Sequence, residues 1–125
     1  MRAQVAIEFL ATATIALIML VGILYAVLYA QQTANIDAEQ AALERVADDL
    51  QQEILLAAQV RDGYTRTFSL QAKVINQAYT ATQYPDGFSL QSTNAQVTRK
   101  TPAYTGVLNL PDITIQKEAG VIVLS

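Results

Sequence analysis

The chain has 125 residues, enough for one small domain and an appendage, and 52% of them are hydrophobic, with no cysteine and no histidine. Those two absences remove disulfide staples, the usual general base, the commonest metal ligand and the thiol nucleophile; no cofactor and no histidine-based catalysis is expected. With a net charge of −3 and one adjacent basic pair, Arg99-Lys100, which reads as loop solvation, the chain lacks the cation clusters that a nucleic-acid partner requires.

The few charges are segregated. Residues 1–36 carry only Arg2 and Glu8, residues 37–62 hold seven acidic and two basic side chains, and residues 63–125 hold three acidic and five basic. From Phe9 to Ala30 run 22 residues without a charge. At ~1.5 Å rise per residue they make roughly 33 Å of helix, against a bilayer core of about 30 Å. Tyr25 and Tyr29 lie one turn apart at the far end, where amphipathic rings favour the membrane–water boundary. Arg2 and a terminal amine put positive charge at the near end and predict that it stays cytoplasmic. The run is too long for the apolar part of a secretory signal, and no small-x-small cleavage site stands near Gln31-Gln32-Thr33.

The helical pattern continues beyond it. Leu43, Val46, Ala47, Leu50, Ile54, Ala57 and Ala58 fall on one face, and Glu44, Arg45, Asp48, Asp49, Gln52 and Glu53 on the other. No Pro or Gly interrupts residues 23–62, which predicts a single helix from about Gln4 to Val60, on the order of 85 Å long. Gly22 is its weak point, at ~1 kcal/mol relative to Ala. The acids of residues 37–53 read as a solvated face. Glu44 and Asp48 share a side at i, i+4, yet no histidine joins them as in carboxylate-bundle metal sites. Glu8 stands at the mouth of the apolar run, where an acid either reaches the headgroups or has a function.

After Gly63, which suits a helix C-terminal cap, the period changes from 3.6 to 2. Tyr64, Phe68 and Leu70 alternate with Thr65, Thr67 and Ser69. Further strands are predicted at Val74–Thr82, Phe88–Ser92, Ala95–Arg99, Tyr104–Leu108, Ile113–Lys117 and Val121–Ser125. Pro85-Asp86-Gly87 is a turn, and Glu118-Ala119-Gly120 closes a final hairpin. The expected fold is α+β: a long N-terminal helix, hydrophobic in its first half, packed against a small antiparallel β-sandwich or barrel over residues 63–125. A head of this size has a marginal core by itself, so packing on the helix and on neighbouring subunits is expected.

Gln4-Val5-Ala6-Ile7-Glu8-Phe9, after Arg2-Ala3 and opening an apolar helix, resembles the class III signal peptide of archaeal type IV pilins. Ala6 stands where the family shows Ser, and Ala3 where Gly is more typical. The segment from Asp62-Gly63-Tyr64 to Leu70 and the tail from Gly106 to Ile122 look like the family's β head. The resemblance implies that residues 1–3 are a leader, that a prepilin peptidase cuts between Ala3 and Gln4, and that Glu8 becomes the mature chain's fifth residue. It also implies that Gln4, Glu8 and Phe9 serve assembly, and that the helix 4–62 spans the membrane over 9–30 before packing into a filament core with other copies. The expected partners are then the membrane, the peptidase, the pilus assembly machinery and further copies, and the expected product is an extracellular adhesive filament. A minor pilin, or a single-span anchor presenting a ligand-binding β domain, is the alternative. No Asn-x-Ser/Thr sequon occurs, so no N-linked glycan is expected.

Overall fold

The computed structural model describes residues Met1–Ser125. One α-helix, α1, runs from Arg2 to Gln59. Nine strands follow: β1 (Thr65–Ser69), β2 (Lys73–Val74), β3 (Gln77–Ala78), β4 (Thr80–Tyr84), β5 (Gly87–Gln91), β6 (Gln96–Lys100), β7 (Tyr104–Gly106), β8 (Asp112–Glu118) and β9 (Val121–Leu124). The class is α+β, and the chain divides into two units, Met1–Asn35 and Ile36–Ser125.

The first unit is helix alone, and all its residues are exposed. Its three threonines turn inward on their own backbone. The hydroxyls of Thr12, Thr14 and Thr33 donate to the carbonyls of Glu8, Leu10 and Tyr29 at 2.8, 2.8 and 3.1 Å. A helix satisfied in this way exposes almost no unpaired polar group along its apolar run. The helix passes through Gly22 unbroken, and the place of a missing Cβ there is open space.

The second unit is built on the later turns of α1. Leu43, Val46, Ala47, Leu50, Ile54 and Ala57 form one stripe and enter a core with residues of two sheets. β4-β5-β6 contributes Phe88, Leu90 and Val97; β1-β8-β9-β7 contributes Ile113, Ile115, Ile122 and Leu124. The sheets are tied where β4 meets β7. Tyr104 Oη donates to the Gly87 carbonyl at 2.9 Å, and Gln83 Nε2 to that of Gly106 at 3.3 Å. Two glycines permit close approach: a Cβ on Gly87 would collide with the Arg99 carbonyl, and one on Gly106 (φ 103°) with that of Leu124. The head is mixed rather than wholly antiparallel, because β7 pairs parallel with β9.

Both expected turns form hairpins. Pro85–Asp86 joins β4 to β5, and Ala119–Gly120 joins β8 to β9 with both residues at positive φ. The strand expected over Val74–Thr82 is instead three pieces. Ile75 and Asn76, at φ 47° and 62°, reverse the chain between β2 and β3, and β4 begins at Thr80. Asn tolerates the left-handed region, and this turn overrides the β propensity of its neighbours.

Polar contacts across the helix–head seam correct three further expectations. Gly63 does not cap the helix: α1 stops at Gln59, and Lys117 Nζ, reaching in from β8, donates to the carbonyls of Ala58 and Val60, both at 2.7 Å. A cation there also complements the helix dipole. Gly63 (φ 90°) lies in the turn beyond, its N–H donating to the Lys117 carbonyl at 2.8 Å. The acidic side of α1 is not simply solvated. Glu53 lies 3.2 Å from Arg66, and Asp48 accepts from Arg99 Nε at 2.8 Å, which places Arg99 in a strand contact and not in a loop. Glu39 is only 4% exposed, one turn before Leu43 on the same stripe. Its carboxylate accepts hydrogen bonds from the Ser92 hydroxyl, from Asn94 Nδ2 at 3.0 Å and from the Asn94 N–H at 3.5 Å.

Two outcomes are expected. Lys117→Met leaves two terminal carbonyls without their charged donor and lowers stability by about 2 kcal/mol, read by urea unfolding of the detergent-solubilised chain followed by circular dichroism. The second concerns acid. The Ser92 hydroxyl first, then Asn94, hold the Glu39 carboxyl below its ordinary 4.5, against burial, which pushes it up. The folded chain therefore binds this proton more weakly than the unfolded chain. The stabilisation is complete above about pH 4.5 and is lost as the pH falls through the lower folded value. Glu39→Gln is expected to flatten the dependence of melting temperature on pH below 4.5. An unchanged slope would assign the acid sensitivity to other carboxylates.

Candidate processing and assembly segment

The residues singled out at the start of the chain, Ala3, Gln4, Glu8 and Phe9, all lie on exposed turns of α1. Ala3 and Gln4 are helical, and the bond between them is enclosed by the first turn, where the Val5 N–H donates to the Met1 carbonyl at 3.3 Å. A cut at that bond requires the first turn to open. First turns lack half of their backbone partners and fray readily, so the opening is inexpensive.

Gln4 and Glu8 share a face at i, i+4, and Gln4 Nε2 donates to Glu8 Oε1 at 3.5 Å, a long and solvent-exposed bond. Glu8 makes no ion pair within the chain. Phe9, next to it, is 74% exposed. The segment thus presents a carboxylate without a cation and an aromatic ring without a cover, immediately before the charge-free run.

That run reaches a mean hydropathy of 2.4 over 18 residues, with none of the window buried. A core helix of a soluble protein would be mostly covered by its own fold; this one is bare. It is long and apolar enough to cross a membrane and suits membrane association or secretion. Ile18, Met19, Leu20 and Val21 point to four different sides at 100° per residue, and all are exposed, so the run is apolar all round and not along one stripe.

Elsewhere no three acids gather where they could hold a metal ion. Glu44 takes a hydrogen bond from Gln40 at 3.0 Å, and Asp48 turns to Arg99. Glu39 and Lys117, which join helix to head, escaped the sequence pattern. Glu39 stands four residues before Leu43 on the buried stripe, a spacing that marks its face but not its partners.

Comparison with protein-family models, with curated proteins and with solved structures finds no match. The architecture itself is pilin-like: a long apolar N-terminal helix followed by a small β-rich domain.

A cation in the middle of the apolar run provides the test. Ile18→Arg is expected to cost about 3 kcal/mol of membrane insertion and to move much of the chain out of the carbonate-resistant membrane fraction. Retention equal to that of the parent chain would show that the run does not span.

Proposed function

We propose that this chain is the structural subunit of an extracellular archaeal type IV pilus, held in the cell membrane as a precursor and polymerised through its apolar helix to serve surface adhesion. One observation carries the proposal. Within a single helix, the turns after Ile36 bury a stripe in the head, while Phe9–Ala30 are apolar on every side and bare. Such a surface demands cover, first by lipid and then by the same segment of other copies.

The two environments ask for the same helix. In the bilayer it satisfies its own backbone, and its threonines bond back to the preceding turn. In a filament core the small residues Ala11, Thr12, Ala13, Thr14 and Ala16 let neighbouring helices approach closely. A prepilin peptidase acting between Ala3 and Gln4 releases an ammonium one turn from Glu8. In a dry core that carboxylate needs a cation, and the terminal amine of a neighbouring copy supplies one and sets the stagger between subunits. Phe9 adds an apolar ring beside the pair. In this scheme the head faces outward and provides the adhesive surface.

A single-span anchor that presents the head to a ligand or partner complex is the second reading: it uses the same bare apolar run and differs in keeping the Ala3–Gln4 bond.

The deciding experiment is intact-mass and N-terminal peptide analysis of material sheared from cells. The pilus proposal expects polymer whose subunits begin at Gln4. Chains that begin at Met1 and occur only in membranes would select the anchor instead. A second outcome concerns assembly. Glu8→Ala leaves the neighbour's ammonium buried and unpaired, a loss of about 3 kcal/mol, so polymer yield falls by more than about 100-fold. Normal assembly of Glu8→Ala would end the pairing argument.

A further inference from the structure

The seam between α1 and the β5–β6 turn closes on a single acid. Glu39 is 4% exposed, and Ser92, which faces it from the turn, is 8% exposed. Both carboxylate oxygens are occupied by donors. Oε1 accepts from the Ser92 hydroxyl and, at 3.5 Å, from the Asn94 N–H; Oε2 accepts from Asn94 Nδ2 at 3.0 Å. An ionised carboxyl has only acceptors and suits three donors, whereas a proton on either oxygen meets a donor.

No other charge shares the site. One turn away on α1 stand Asn35, Ile36, Ala42 and Leu43, and residues 92–95 of the turn include no titratable side chain. Asp37 and Glu44, the nearest acids along the helix, are exposed, as is Arg45. The β2–β3 hairpin reaches the turn through Gln77, which accepts from the Thr93 hydroxyl at 3.4 Å. Its one charged residue, Lys73, is exposed and makes no ion pair. Neutral donors alone keep Glu39 ionised, and no cation opposes a proton there.

The turn also carries a partner of its own. The Ser92 hydroxyl lies 3.4 Å from the Ala95 carbonyl, which accepts the Ser92 N–H at 2.8 Å. The hydroxyl therefore has two acceptors, one across the seam and one inside the hairpin. Protonation of Glu39 removes the first and leaves the second.

We propose that Glu39 is a latch opened by acid: on taking up a proton it releases residues 92–95 from α1, the Ser92 hydroxyl turns to Ala95, and the rest of the head stays folded. The release is local because the other ties do not depend on this proton. The stripe from Leu43 to Ala57 stays buried, Lys117 still meets the carbonyls of Ala58 and Val60, and Thr93 still meets Gln77. The head's hold on the helix then begins one turn later, at Leu43. The carboxyl is held below its ordinary 4.5, so the latch is closed above about that pH and opens as the pH falls through the lower folded value. The inference does not rest on the filament reading.

Hydrogen exchange of the detergent-solubilised full chain, followed as the pH is lowered and corrected for the intrinsic pH dependence, provides the test. The β5–β6 turn is expected to lose protection in a step below about pH 4.5 while β8 keeps its own. Glu39→Gln places an amide N–H2 among the donors, so its turn is expected to be unprotected at every pH and to show no step. Ser92→Ala removes the strongest of the bonds that lower the Glu39 pKa, and the step is expected to move up towards 4.5. Loss of protection by the turn and β8 together, or a step that persists in Glu39→Gln, would overturn the latch. If Glu39→Gln does not fold, Ser92→Ala decides alone: a step that stays in place ends the proposal. Each of these outcomes leaves the filament reading untouched, since that rests on the N-terminus of the assembled chain.

Discussion

A head made of residues 63–125 alone has too little apolar surface to close a core, and it has neither disulfide nor metal to make up the difference. The stripe from Leu43 to Ala57 resolves this by supplying one wall of that core. Every strand that matters is placed against it: Phe88 and Leu90 from one sheet, Ile113 and Ile115 from the other. The helix is therefore not a stalk attached to a finished domain. Its second half is part of the domain, and the division of the chain falls within the helix, between Asn35 and Ile36, with no linker at all.

The same helix meets opposite demands along its length. Up to Ala30 the side chains suit a continuous apolar surround, and from Glu39 onward they suit one buried face and one wet one. The residues that mark the change are polar. Glu39 binds the turn between β5 and β6, Asp48 meets Arg99 on β6, and Lys117 on β8 closes the helix end. Together they tie the helix at its entry, middle and exit. The exposed ion pairs contribute little individually, under about 1 kcal/mol each, while Lys117 meets two backbone carbonyls and Glu39 the buried Ser92 hydroxyl, groups with few alternatives.

Periodicity made much of this legible. The 22-residue apolar run, the stripe from Leu43 and the change of period after Gly63 each follow from side-chain spacing, and each corresponds to an element of the structure. Turn chemistry was legible where the residues advertise it, as at Pro85-Asp86-Gly87 and Ala119-Gly120. It was hidden at Ile75–Asn76, where a β-branched residue occupies a conformation that it disfavours, so local propensity pointed the wrong way. The cap was hidden for another reason. Gly63 carries the local signature, but the group that reaches the last carbonyls comes from a strand far away in sequence, and no window along the chain contains both. Glu39 shows the same limit: its burial depends on Ser92 and Asn94, and an acid on a helix reads as solvated until its partners are known.

Glu39 has a consequence for alignment. The apolar stripe is nearly self-similar: moved along by one turn, Val46, Leu50 and Ile54 would present much the same surface to the sheets as Leu43, Val46 and Leu50 do. Apolar burial alone distinguishes such positions poorly. A carboxylate that finds three donors in one place and none a turn away makes the slipped arrangements costly, since Leu43 would then face Ser92 and Asn94 while Glu39 lost every bond. Glu39 thereby serves as an index mark, a single polar contact that tells a repetitive helix where along its length the head belongs.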